Sequence, residues 1–189
     1  MEKTLEQHPS SCVKVVLFGP ESTGKTTLSK ALADYYETLW VPEYAREYLQ
    51  DKWDLEKKTC ERSDLLPIAI GQMQLENAGA AKADKLLFCD TNLLETKVYS
   101  EIYYQGYCDS SIAHYANKNQ YDLYFLCDID VPWVVDDLRD KPNERNKMFS
   151  AFENALQNQA LPYVVLSGSK VDRLNFATNY INERLIPKI

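Results

Sequence analysis

The stretch Val13-Lys14-Val15-Val16-Leu17-Phe18-Gly19-Pro20-Glu21-Ser22-Thr23-Gly24-Lys25-Thr26 decides how the rest of the chain is read. Its first six residues are a short apolar run rich in β-branched side chains and stopped by Gly-Pro, which predicts a buried strand. The next eight match G-x-x-x-x-G-K-[ST], and a helical pattern starts at Lys25. A strand, a glycine loop and a helix in that order turn consecutive backbone N–H groups inward beside the positive end of a helix. That geometry holds phosphate. Lys25 is expected to reach the β- and γ-phosphates of ATP, and the Thr26 hydroxyl to ligate Mg²⁺. Gly19, Glu21, Ser22, Thr23, Gly24 and Thr27 complete the expected nucleotide cradle.

Outward from this stretch, short apolar runs alternate with longer helical patterns. Leu39 to Val41, Leu86 to Cys89, Leu123 to Cys127 and Tyr163 to Leu166 read as further strands. Lys25 to Glu37, Asp64 to Ala83, Thr91 to Tyr104, Glu144 to Gln159 and Lys170 to Leu185 read as helices. The alternation predicts an α/β fold of the P-loop NTPase kind, a five-stranded, mostly parallel sheet with helices on both faces. Residues 1–11 are polar and predict a flexible N-terminus. Residues 12–189 predict a single domain, since no repeat, low-complexity segment or linker interrupts them.

The 189 residues carry a formal net charge of -7, which argues against nucleic acid as a main partner. It does not argue against ATP, because backbone N–H groups hold phosphate on an acidic protein. Cys12, Cys60, Cys89, Cys108 and Cys127 are odd in number and form no C-x-x-C pair, so neither a disulfide framework nor a zinc site is expected. No signal-like segment and no apolar run near the ~20 residues of a membrane span is present, and a cytoplasmic protein without membrane contact is expected.

Three further segments carry candidate chemistry. Leu86 to Cys89 is closed by Asp90, the carboxylate a P-loop enzyme needs near its metal; the competing role for an Asp here is a helix N-cap. After the second strand, Glu43-Tyr44-Ala45-Arg46-Glu47 falls in the ligand crevice beyond the sheet's carboxyl ends, where Glu43 could serve as general base. Arg46, three residues on, shares a helix face with Glu43 if a helix starts here, or simply forms a solvated pair with it. The charged segment Asp136 to Arg145 suits a lid over the phosphates, with Arg139 and Arg145 as its cations, or a solvated face. Ser167 and Gly168 end the last strand and could border the adenine.

With Gly71-Gln72, Cys89-Asp90-Thr91 and Pro132-Trp133-Val134-Val135-Asp136-Asp137-Leu138-Arg139, these motifs resemble the NadR-type ribosylnicotinamide kinases, from about Val13 to the C-terminal helix. The resemblance implies a fold like the nucleoside and nucleotide kinases, ATP and Mg²⁺ as cofactors, and the 5′-hydroxyl of nicotinamide riboside as acceptor, giving nicotinamide mononucleotide in NAD salvage. It implies that Glu43, Tyr44 and Arg46 serve the substrate, that Asp90 is the acidic strand end, and that Arg139, with Arg145 a looser match, belongs to the lid. Two positions depart from the family. Pro42 stands where many relatives carry an aromatic before Glu-Tyr, and Asn92 replaces the second acid after the third strand. Both bear on the acceptor. The larger NadR proteins add a nucleotidyltransferase domain and sometimes a DNA-binding one; 189 residues leave room for neither, so a stand-alone kinase domain is expected.

The residues leave several choices open. Glu43 or Asp90 could take the proton, and Trp40, Trp53, Tyr44 or Tyr104 could stack on the base. The acceptor could be another nucleoside or small alcohol. Ser169-Lys170-Val171-Asp172 resembles a guanine-reading motif, which would suit a GTPase switch, and a nucleotide-binding regulator with little turnover is a third class. Oligomeric state is not legible.

Overall fold

A computed structural model of the chain describes residues 4–186. The elements run β1 (Val13–Phe18), α1 (Lys25–Tyr35), β2 (Leu39–Val41), α2 (Tyr44–Glu56), α3 (Arg62–Ala80), β3 (Leu86–Asp90), α4 (Leu93–Tyr103), α5 (Ser110–Lys118), β4 (Leu123–Cys127), α6 (Arg145–Asn158), β5 (Tyr163–Leu166) and α7 (Lys170–Arg184). The five strands pair in the order β2-β3-β1-β4-β5, and every pairing is parallel. The expected strands all form. Two helices were not expected as such: α5, and α2, of which the sequence suggested only a start.

Parallel pairing follows from burial on both faces. Val16, Phe18, Leu87, Cys89, Tyr124 and Leu126 point into a core closed by α3 to α6. Their neighbours in sequence, Val15, Leu17, Phe88, Leu123 and Phe125, point the other way onto α1 and α7. Because β1 lies between β3 and β4, the chain after β1 and the chain after β3 leave the same sheet edge side by side. Leu17 is in register with Asp90. That reversal point is where an open α/β sheet presents its crevice.

The N-terminal segment corrects an expectation. Residues 4–10 do not fray: Leu5 is fully buried, and Gln7 Nε2 donates to Glu76 Oε1 at 2.8 Å and to the Gln120 carbonyl at 3.0 Å. His8 N–H donates to Asn77 Oδ1, and Ser10 Oγ to the Ala80 carbonyl. The cause is Glu76, a wholly buried carboxylate on α3 that needs partners. Lys14 pairs with it at 3.2 Å, the Tyr121 hydroxyl donates to it at 2.7 Å, and Gln7 completes the set. Polar composition masked this role. Residues 1–3, part of the same expected flexible segment, lie outside the described residues.

Candidate active site

The phosphate loop is built on positive backbone angles. Gly19 has φ 130° and Gly24 φ 83°, and at Gly19 a Cβ would come within 3.0 Å of the Cys127 carbonyl. Ser22 tolerates φ 58° as a short polar residue. Gly24 caps α1 without a side chain, so the first amides of α1 stay open toward an anion. The Thr23 hydroxyl closes the loop by donating to the Pro20 carbonyl at 2.7 Å. Thr26 and Thr27 stand exposed on the first turn of α1.

Lys25 is buried and donates to the Gly19 and Pro20 carbonyls at 2.7 and 3.0 Å. It also pairs at 3.1 Å with Glu95, itself buried on the first turn of α4. Burial opposes the lysine charge, but Glu95, Glu43 and Asp90 outweigh it and hold the lysine pKa above its ordinary value. Burial drives Glu95 well up, and Lys25 opposes that rise. Beyond the ion pair, neither Glu95 oxygen has a hydrogen-bond partner. Glu95 was not singled out in the sequence, because nothing there tells a helix-turn glutamate from a surface one.

Asp90 is the last residue of β3, fully buried, with both carboxylate oxygens lacking a partner. Burial first and Glu43 second push it up to about 7; Lys25, the nearby Thr26 hydroxyl and Lys30 pull the other way. The N-cap role considered for it belongs to Asn92, which accepts from Glu95 N–H at 3.3 Å and donates to the Tyr124 hydroxyl at 3.0 Å. The departure at Asn92 is thus a cap. Between them Thr91 sits at φ 73°, a strained angle for a β-branched residue at the strand end.

Glu43 is the residue before α2, and its side chain caps nothing. With Thr26, Trp40, Arg46 and Asp90 it lines a cleft of about 520 Å³. Glu43 and Arg46 do share one side of the helix start, but Arg46 is not paired with Glu43. Its Nη1 and Nη2 donate to Asp136 at 3.1 and 2.9 Å, tying α2 to the charged segment. Tyr44 lies outside this cleft and lines a neighbouring one of about 450 Å³ with Tyr48, Lys52 and Asp64. Its backbone N–H donates to Gln72 Oε1, and its ring lies where a Cβ on Gly71 would be, 2.1 Å from Cε1. The Gly71-Gln72 pair is thereby explained as the seat of Tyr44. Of the four aromatics considered for stacking, Trp40 lines the cleft.

The segment from Asp136 to Arg145 lies folded over the phosphate loop. Val134 N–H donates to Ser22 Oγ at 2.9 Å, and Arg145 donates to the Val131 carbonyl at 2.9 Å and to the Ser22 carbonyl at 3.4 Å. Arg139 pairs with Asp136 at 3.0 Å and donates to the Val134 carbonyl. Glu21 faces this segment; burial and then Asp140 push it up to about 7. On the far side, Ser167 Oγ donates to Asp128 and Gly168 N–H to Asp130. Arg173, also unforeseen, joins that loop to the phosphate loop, with Nε on the Gly168 carbonyl, Nη1 on the Thr23 carbonyl and Nη2 on Asp130. Asp172 accepts from Ser169 N–H and Oγ in a capping box, which occupies the residue a guanine-reading motif would need free.

Among the described residues no group of three or more His, Cys, Asp or Glu could hold a metal ion alone. A hydroxyl at Thr26, one orphaned carboxylate at Asp90 and the oxygens of a bound phosphate form the donor set that Mg²⁺ takes. The residues present therefore fit the ion.

Fold and phosphate loop define a P-loop nucleotide-binding domain, and a cleft lined by Thr26, Glu43 and Asp90 lies beside the loop. The chain belongs to the AAA domain family, whose sequence profile matches residues 14–173. It is 30% identical over 142 residues to the trifunctional NAD biosynthesis/regulator protein NadR of Salmonella typhimurium, an alignment covering 75% of this chain and 34% of that one. The chain spans about a third of the length of the curated relatives it matches. Among solved structures, a NadR protein in complex with NR superposes with a TM-score of 0.73 at 19% identity, covering 92% of this chain and 50% of that one. Deoxyadenosine kinase from M. mycoides superposes at 0.64 and 15% identity, covering 90% of this chain and all of the other. These likenesses establish the nucleoside and nucleotide kinase fold.

Proposed function

We propose that the protein transfers the γ-phosphoryl group of ATP to the 5′-hydroxyl of a nucleoside, with nicotinamide riboside the favoured acceptor and nicotinamide mononucleotide the product. The observation that carries this reading is the meeting of Thr26, Asp90 and the uncommitted Glu43 on one cleft beside the phosphate loop, with the buried Lys25 in electrostatic reach of both carboxylates. The solved NadR complex and the family motifs from Glu43 to Glu47 support the choice of acceptor.

The loop from Gly19 to Thr26 binds the triphosphate through backbone amides. Lys25 leaves the Gly19 and Pro20 carbonyls to neutralise charge that develops on the transferred group. Thr26 and Asp90 would hold Mg²⁺, which would supply neutralisation of the phosphate charge. Glu43 accepts the hydroxyl proton as the oxygen attacks. Asp90 is the weaker candidate for that step, being the residue suited to the metal. Arg139 and Arg145 close the segment over the phosphates and exclude water, while Ser167 and Gly168 border the adenine.

ADP release from ATP and Mg²⁺ with a panel of ribosides tests this. Acceptor-dependent release with nicotinamide riboside, and a 5′-phosphorylated product, is the expected result. Release with a different nucleoside alone would move the acceptor, and no acceptor-dependent release would overturn the kinase.

A further inference from the structure

The cleft beside Asp90 is unbalanced in charge. Glu43, just before α2, and Glu47 and Asp51 within it recur at four-residue spacing and, with Asp90, put four carboxylates on its lining against one cation, Arg46. Arg46 adds little to the balance, because the Asp136 carboxylate engages both its Nη atoms. Lys25 is likewise taken up by Glu95. Lys30 lies 5.0 Å over the ring of Trp40 on the cleft wall, so this indole already holds one ammonium in cation–π geometry.

Acidic residues alone would describe a solvated helix face. Asp90 is the independent observation: wholly buried, without a hydrogen-bond partner on either oxygen, and part of the same lining. Such a group calls for positive charge. In the mechanism above Glu43 takes a proton and Asp90 serves the metal. Glu47 and Asp51 are left over, exposed and outside any ion pair among the described residues.

We infer that Glu47 and Asp51 select an acceptor whose base carries a permanent positive charge, an N-ribosylated pyridinium, over neutral bases of similar size. The inference rests on the kinase reading above. A neutral base brought beside these carboxylates strips their water and returns nothing, whereas a cationic ring replaces that water with attraction. Trp40 adds a ring face that suits a cation.

The test compares nicotinamide riboside with its 1,4-dihydro form, nearly identical in shape but neutral in the ring. Both kcat/KM with ATP and Kd by calorimetry without ATP are measured, at low and high salt. The wild type is expected to favour the cation by about tenfold, less at high salt. Combining Glu47→Gln with Asp51→Asn is expected to narrow that ratio by about threefold to tenfold. A merely structural loss lowers both ribosides together and leaves the ratio intact. Equal use of the two ribosides by the wild type, or a ratio unchanged in the double variant, overturns the inference while leaving the kinase standing. A preference in Kd without turnover does the reverse: it keeps the charge selection and overturns the kinase.

Discussion

At the scale of single residues, Glu43 and Asp90 face the same cleft with opposite surroundings. Glu43 is half-buried and free of hydrogen bonds as a cap, and Asp90 is sealed in at the end of β3. Glu43→Gln is expected to lower kcat about 10²-fold to 10⁴-fold with ATP affinity nearly intact, measured by steady-state kinetics and nucleotide titration. Near-normal kcat would remove it as the base. Asp90 separates function from stability. Its folded pKa of about 7 lies above the ordinary carboxylate value of 3.8, so any stability it lends is present below that value and lost as pH rises through 7. In the nucleotide-free, chelated protein, Asp90→Asn is therefore expected to be more stable than wild type at pH 8, by about 2 kcal/mol, with the gain shrinking toward pH 4. The same substitution should abolish Mg²⁺-dependent turnover. Thermal unfolding across pH checks the first expectation, and a variant less stable at pH 8 would contradict it.

At the scale of elements, α2 carries the side chains proposed to serve the acceptor. It has no buried residue, and it is held instead by Tyr44 in the hollow over Gly71, by Gln72 on the Tyr44 N–H, and by Arg46 on Asp136. Gly71→Ala would place a Cβ 2.1 Å from the Tyr44 ring and displace it. The expected result is a loss of about 1–3 kcal/mol in chemical denaturation together with a raised acceptor KM; an unchanged KM would detach α2 from the acceptor. Much of this scale was legible in the sequence. The strands announced themselves because β1, β3 and β4 are buried on both faces and so read as continuous apolar runs, and the phosphate loop because glycine at positive φ leaves few alternatives. The hold on α2 was not legible, because it runs through polar side chains from distant segments. Glu95 and Arg173 escaped for the same reason: each becomes buried and charged only when α4 and α7 dock beside the phosphate loop.

At the scale of the whole molecule, the segment from Leu5 to Ser10 closes the core that Glu76 would otherwise leave short of partners. Leu5→Ala is expected to cost about 2–4 kcal/mol, and Gln7→Ala about 1–2 kcal/mol through the Glu76 oxygen it releases. Denaturant titrations of both variants would check this, and wild-type midpoints would mean that the segment is only draped on the surface. No helix among the described residues is long and apolar enough to cross a membrane. The sheet sets the phosphate loop, Asp90 and Glu43 along one edge, and α2 and the segment from Asp136 to Arg145 lie over them. The most direct measurement is phosphorus NMR of ATP, Mg²⁺ and nicotinamide riboside incubated with the wild type and with Lys25→Ala. One monoester phosphate on the 5′-oxygen per ADP formed, absent with Lys25→Ala, is the predicted result. ADP accumulating with inorganic phosphate alone, or at the same rate without riboside, would contradict the proposed transfer.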